Sequence, residues 1–290
     1  MLSLAEVPLP KIGSLTIDDD GQVDLSNRPL TMAVQHSEHN HGLRTATAKC
    51  PSDLRAKVDT RGESLHVTVD SYVRALLALH EARLEHQPNA VSSPGDARYQ
   101  ATAVVIMRSI WNQFISSRSG PFFLSLTDLN RSNIFVDDAW HITAIIDLEW
   151  SCSWPVEMIH PPRWLLDESP DNDGSTKSNM LHAEFVQIFR EVELQLSSRK
   201  DPDRLLLYPF LEQGLSKGTL WCTLALTRPD SLCQMVYEKI LPGYIKADDV
   251  SPEFFMTALY RPDAAVWIQR KVQDKQEYDA QLLQAFHFKE

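Results

Sequence analysis

The stretch FFLSLTDLNRSNIFVDDAWHITAIIDLEW, residues 122–150, decides how this chain is read. Its first residues, with Pro121, form an apolar run over 121–126 that reads as a buried extended segment. Residues 133–137 (NIFVD) and 142–147 (ITAIID) read as two short strands, joined by Asp138-Ala139-Trp140-His141. Asp128 follows the apolar run and precedes a loop. Asn133 lies five residues later, at the start of a strand, and Asp147 ends the next strand, nineteen residues after Asp128. Carboxylate and amide oxygens suit a hard cation. A hairpin would hold Asn133 and Asp147 on one rigid element. The same spacing also has a plain structural reading: Asp128 caps a turn, Asn133 satisfies loop backbone, and Asp147 ends a strand.

Upstream, residues 12–17 (IGSLTI) and 22–25 (QVDL) flank Asp18-Asp19-Asp20-Gly21, and Asp-Gly between apolar runs signals a hairpin. A calcium loop would need a later bidentate Glu that is missing here. Residues 35–68 lose periodicity and read as a polar loop. His36, His39 and His41 cluster within it, with Cys50 nearby in sequence, but without a folded frame to bring a fourth ligand to a zinc site, so the polar loop is the plainer reading. A helix is expected from about Asp70 through Leu84, and a second over about 96–115. From about Lys177 the pattern is mainly helical. Met180, Leu181, Phe185, Ile188, Phe189, Val192 and Leu196 form its first apolar stripe, and a last, highly charged helix runs over about 263–286. The expected organisation is an N-terminal hairpin segment over 1–34, a polar stretch over 35–69 and an α+β body over 70–290. That body carries the 122–150 segment and a helical remainder over 177–290.

The 290 residues are enough for a substantial core, with ordinary hydrophobic (43%) and charged (23%) content. A net charge of −11 argues against a nucleic-acid or anionic-membrane binder. Cys50, Cys152, Cys222 and Cys233 form no CxxC pair, which fits reduced thiols in a cytoplasmic protein. No run approaches the roughly 18 apolar residues of a membrane span.

Extended to TDLNRSNIFVDDAWHITAIIDLEWSCSWPVEMIHPPRWL, the segment resembles the fungal branch of the aminoglycoside-phosphotransferase-like family, which has a protein-kinase-like fold. The resemblance includes the tail residues Pro155, Glu157, Met158, Pro161, Pro162, Trp164 and Leu165, and the upstream stretches PLPKIGSLTIDDDG, NRPLT and HQPNAV. It covers about residues 8–170. It implies the C-terminal lobe of a kinase-like α+β fold and an ATP- and magnesium-dependent transfer of phosphate to a small-molecule hydroxyl. Asp128 would be the catalytic base, Asn133 and Asp147 would bind magnesium and the nucleotide's phosphates, and Glu149 and Trp150 would neighbour the metal loop.

Two departures from the family pattern matter. The position two residues before Asp128, usually His, is Leu126. No Gly-rich phosphate loop and no strand lysine paired with a helix glutamate precedes the first helix; Lys11, Lys49 and Lys57 are the lysines there. The resemblance therefore implies a chain that starts at or beyond the hinge, without the nucleotide-gripping lobe. The alternative is a non-catalytic, pseudokinase-like binding or scaffold protein. An apolar surface left uncovered by that lobe would favour self-association. The acceptor is not readable from these residues. The acidic run Asp167, Glu168, Asp171 and Asp173 would suit a cationic substrate or be a solvated loop, and Trp154 and Trp164 would stack a substrate or pack in the core.

Overall fold

A computed structural model describes residues 1–31, 65–165, 175–200, 205–244 and 259–287. The His36, His39, His41 and Cys50 cluster and the acidic run from Asp167 to Asp173 lie outside the described residues. The fold is α+β, with three two-stranded antiparallel sheets among the described residues. No described helix is long and apolar enough to cross a membrane. The chain forms two compact units, both discontinuous in sequence.

The first unit comprises Met1–Met32, Glu63–Tyr72 and Phe114–Leu220. Its N-terminal hairpin pairs β1 (Ser14–Ile17) with β2 (Val23–Asn27). The expected Asp-Gly turn closes it: Asp18 Oδ1 accepts the amides of Asp20 and Gln22, and Gly21 takes φ 77°. β3 (Phe122–Leu126) pairs with β6 (Ser151–Pro155), in register from Phe122↔Pro155 to Leu126↔Ser151. Sequence reasoning did not identify β6, because SCSWP lacks period-two alternation and ends on proline. The residues before β1 are stitched to this sheet. Leu9 bridges Phe122, and Gly13 bridges Ser153, whose hydroxyl accepts the Gly13 amide at 3.1 Å. A Cβ on Gly13 would lie 2.3 Å from Leu65 and 2.7 Å from the Asn27 carbonyl, so only glycine permits this approach.

The core of this unit gathers Phe123, Val156, Ile159, Val186, Phe189, Leu207 and Leu211. Each such side chain contributes about 1.5–3 kcal/mol on burial. Helix α3 (Ser175–Lys200) supplies Val186 and Phe189. The buried face of α3 matches the apolar stripe read in the sequence only in part, at Phe185 and Phe189. It runs through His182, Val186, Phe189 and Glu193, whereas Met180, Leu181, Ile188 and Val192 are exposed. The reason is a polar anchor. Glu193 is buried, and its carboxylate accepts the amides of Leu207 (2.9 Å) and Tyr208 (2.8 Å) at the start of α4 (Tyr208–Ser216). Satisfying those N-terminal donors fixes the rotation of α3 more firmly than its apolar count does. Trp154 takes the core alternative: it is buried, and its indole donates to the Tyr72 hydroxyl at 3.0 Å.

The second unit holds Val73–Gln113 and Trp221–Glu290 among the described residues. It contains most of α1 (Val69–His86), then α2 (Pro94–Ile110), most of α5 (Thr219–Thr227), a π-helical turn over Met235–Ile240, and α6 (Ala264–His287). Ser93 caps α2 by accepting the Asp96 amide, with Pro94 at the first helical position. Lys271, fully buried on α6, donates to the carbonyls of Gln87 (2.9 Å) and Glu85 (3.3 Å) and to Asp274 (3.1 Å), capping the C-terminal end of α1. Glu85 joins the same knot by accepting from Arg261, Arg270 and the Trp267 indole. His80, wholly buried, bonds the Leu226 carbonyl through Nε2 at 2.9 Å. Cys152, Cys222 and Cys233 are free thiols, and burial raises the pKa of each.

Candidate functional site

The loop carrying Asp128 begins where the β3–β6 ladder stops. Beyond the Leu126↔Ser151 pair, Thr127 continues the contact through its amide, which donates to the Trp150 carbonyl at 3.0 Å. The chain is therefore pinned on both sides of the candidate residues. Asp128 is the first residue released from the ladder on one strand, and Asp147 and Glu149 lie just before it on the other.

From Asp128 the backbone turns through hydrogen bonds of its own. The Asn130 amide donates to the Asp128 carbonyl at 2.9 Å, and the Asn130 side chain donates to Asp128 Oδ1 at 2.7 Å. A 3₁₀ turn over Arg131–Asn133 follows. Asn133 is buried, and its Nδ2 reaches back to the Asp128 carbonyl at 3.2 Å. That leaves Oδ1 as its acceptor, touched at 3.2 Å by the Ser132 hydroxyl.

The ribbon then forms as expected. β4 (Ile134–Val136) pairs with β5 (Ile142–Ile145) around a turn in which Asp137 accepts the amides of Ala139 and His141. The His141 amide and ring, with the Ala139 amide, hold the Asp137 carboxyl below the usual carboxylate range. The Ile146 amide donates to the Asn133 carbonyl at 3.0 Å, extending the ribbon to the residue before Asp147. Asp147 then adopts left-handed backbone, φ 57° and ψ 51°, and a 3₁₀ turn over Leu148–Trp150 leads into β6. A left-handed non-glycine residue costs about 1–2 kcal/mol, and such outliers cluster at functional sites.

The three predicted residues thus belong to one hydrogen-bonded segment. Asn133 links directly to Asp128 through its side chain and to the neighbour of Asp147 through its main chain. Asp128 is half-buried and Asp147 is exposed. The donor set offers one amide oxygen and two carboxylates, all hard oxygen ligands. Among the described residues no three His, Cys, Asp or Glu side chains cluster to hold a metal ion by themselves. A magnesium ion bound through one carboxylate, one amide oxygen and substrate phosphates does not require such a cluster.

One neighbour escaped the sequence reading. Arg131 stacks its guanidinium over Trp164, 5.9 Å from the ring centroid. The pairing is a cation–π contact between residues thirty-three positions apart, and no local sequence signal announces it. Comparison of the chain with family models, with curated proteins and with solved structures returned no match.

Proposed function

We propose that this chain is a kinase-like phosphotransferase C-terminal lobe, transferring the γ-phosphoryl group of ATP to the hydroxyl of a small molecule with magnesium. The reading rests on the residue pattern around Asp128, Asn133 and Asp147. The observation that supports it best is the left-handed Asp147, tied through Ile146 to the buried Asn133. Aspartate tolerates left-handed backbone at a turn, and a carboxylate held there, one residue past the Ile146–Asn133 bond, suits a ligand to the same ion as Asn133.

In this mechanism Asn133 Oδ1 and the Asp147 carboxylate would hold magnesium, which offsets charge on the phosphates. Asp128 orients the acceptor hydroxyl and takes its proton as the oxygen–phosphorus bond forms and the γ-phosphorus bond to the bridging oxygen of departing ADP breaks. The Asn130 amide group on Asp128 Oδ1 restrains that carboxylate.

A second reading, a non-catalytic binding or scaffold protein, draws on the exposure of the segment. Asp147 and most of the ribbon face solvent, where electrostatic stabilisation is weak compared with a water-excluded cleft. Calorimetric titration of Mg-ATP into the chain separates the two. Magnesium-dependent binding that Asp147→Ala abolishes is expected for the phosphotransferase. No binding at millimolar nucleotide would overturn it and leave the scaffold.

A further inference from the structure

Between Asp128 and Trp150 the chain carries five carboxylates, at Asp128, Asp137, Asp138, Asp147 and Glu149, and a single arginine or lysine, Arg131. Arg131 lies inside the turn that Asn133 closes onto the Asp128 carbonyl at 3.2 Å. Its side chain is exposed, and among the described residues it takes none of those carboxylates as an ion-pair partner. It stacks on Trp164 instead, 5.9 Å from the ring centroid. The indole is half-buried, and its Nε1 lies out of solvent with no hydrogen-bond partner among the described residues. Trp164 therefore offers its face rather than its polar edge, and that face seats the guanidinium.

A flat guanidinium laid on an aromatic ring keeps its rim of N–H donors free. That rim suits a carboxylate or phosphate taken by two parallel hydrogen bonds. An arginine already held in place also loses less side-chain freedom when the anion arrives. We propose that Arg131, seated on Trp164, binds an anionic group of the acceptor, which is then a small alcohol bearing a carboxylate or a phosphate. Assigning the anion to the acceptor rests on the phosphotransferase reading, in which Asp128 takes the hydroxyl proton; the anion site at Arg131 does not. In so acidic a segment an anion is repelled wherever Arg131 does not reach it, so the guanidinium decides which end of the acceptor approaches. The phosphates of ATP share this chemistry and are the other source of an anion for Arg131.

Calorimetric titration of the full chain at low salt, where screening is least, separates these sources. The probes are glycerol 3-phosphate and glycerate as anionic alcohols, glucosamine as a cationic one, and Mg-ATP. Both anionic alcohols should bind without nucleotide. Arg131→Gln should weaken them about tenfold or more, as expected for the loss of a charge-assisted pair, and leave Mg-ATP unchanged. Trp164 is a positioning residue. Trp164→Leu should weaken the anions about two- to fivefold, the weight of an exposed cation–π contact, whereas Trp164→Phe, which keeps an aromatic face, should restore them. Circular dichroism checks the fold of each variant.

Anionic alcohols that fail to bind at millimolar concentration, or that bind equally well to Arg131→Gln, would overturn the anion site. Phenylalanine and leucine at position 164 behaving alike would overturn the role of the stack. A loss confined to Mg-ATP in Arg131→Gln, or tighter binding of glucosamine than of the anions, would overturn the acceptor assignment. If Mg-ATP does not bind while glycerol 3-phosphate still does so through Arg131, the phosphotransferase reading fails and the anion site stands.

Discussion

Lowering the pH from 7 to 4 should destabilise the second unit through one residue, His80. Its imidazole is completely buried, with Nε2 on the Leu226 carbonyl and no hydrogen-bond partner for Nδ1 among the described residues. A carbonyl accepts, so Nε2 carries the proton, and a second proton would have to enter at Nδ1. Burial pushes the pKa down from 6.5 to about 4. Arg83 adds to the fall, while the Leu226 and Ala225 carbonyls and Asp230 oppose it. The unfolded chain takes up its proton near 6.5 and the folded chain only near 4. The stability is therefore complete above pH 6.5, and it is lost as pH falls through the window to about 4. The loss amounts to roughly 3 kcal/mol, or about 6–12 °C in Tm for a unit of ordinary size. His160 and His182, also lowered by burial, act in the same direction, so the diagnostic quantity is a difference. His80→Gln keeps a donor for the Leu226 carbonyl and has no titration. Thermal melts of both proteins at pH 7 and pH 4 should show the wild type losing roughly 3 kcal/mol more than the variant. Equal losses in the two proteins would refute the argument.

Three other substitutions test separate parts of the structure. Glu193→Ala removes the acceptor of the Leu207 and Tyr208 amides at the α4 N-terminus, and urea denaturation should register a cost of about 2–4 kcal/mol. Lys271→Met keeps the packing of the stem but leaves the Gln87 and Glu85 carbonyls without their ammonium; the same assay should show about 2–4 kcal/mol. Asp147→Gly should melt above Asp147→Ala by about 1 kcal/mol equivalent, because only glycine relieves the left-handed backbone, while both variants lose any Mg-ATP signal in calorimetry.

Local features were legible where a short-range rule governs them. The Asp-Gly hairpin, the extended run at 122–126 and the two strands around Asp138-Ala139-Trp140-His141 all appear, because turn chemistry and apolar runs act within a few residues. The helices at α1, α2 and α6 follow their periodicity within a few residues. Long-range choices were not legible. Nothing in SCSWP marks it as the partner of FFLSL, and α3 turned its polar residues Glu193 and His182 inward for reasons that lie in other segments. The candidate site was readable as a spacing of Asp128, Asn133 and Asp147. The left-handed conformation of Asp147 and the Arg131–Trp164 stack depend on how the flanking strands are pinned, which spacing does not encode.

The stitching of residues 9–13 onto β3 and β6 imposes an order on synthesis. Gly13 and its partner Ser153 are 140 positions apart. At about 5–20 residues per second, a ribosome needs roughly 7–30 s to make the intervening chain. The β1–β2 hairpin can close as soon as it emerges, but Leu9, Ile12 and Gly13 must wait for partners not yet translated. During that interval the nascent chain carries unpaired edges and apolar side chains of its future interior. The ribbon at 134–145, built from neighbours in sequence, is complete moments before β6 arrives to pair with β3 and with the waiting Gly13.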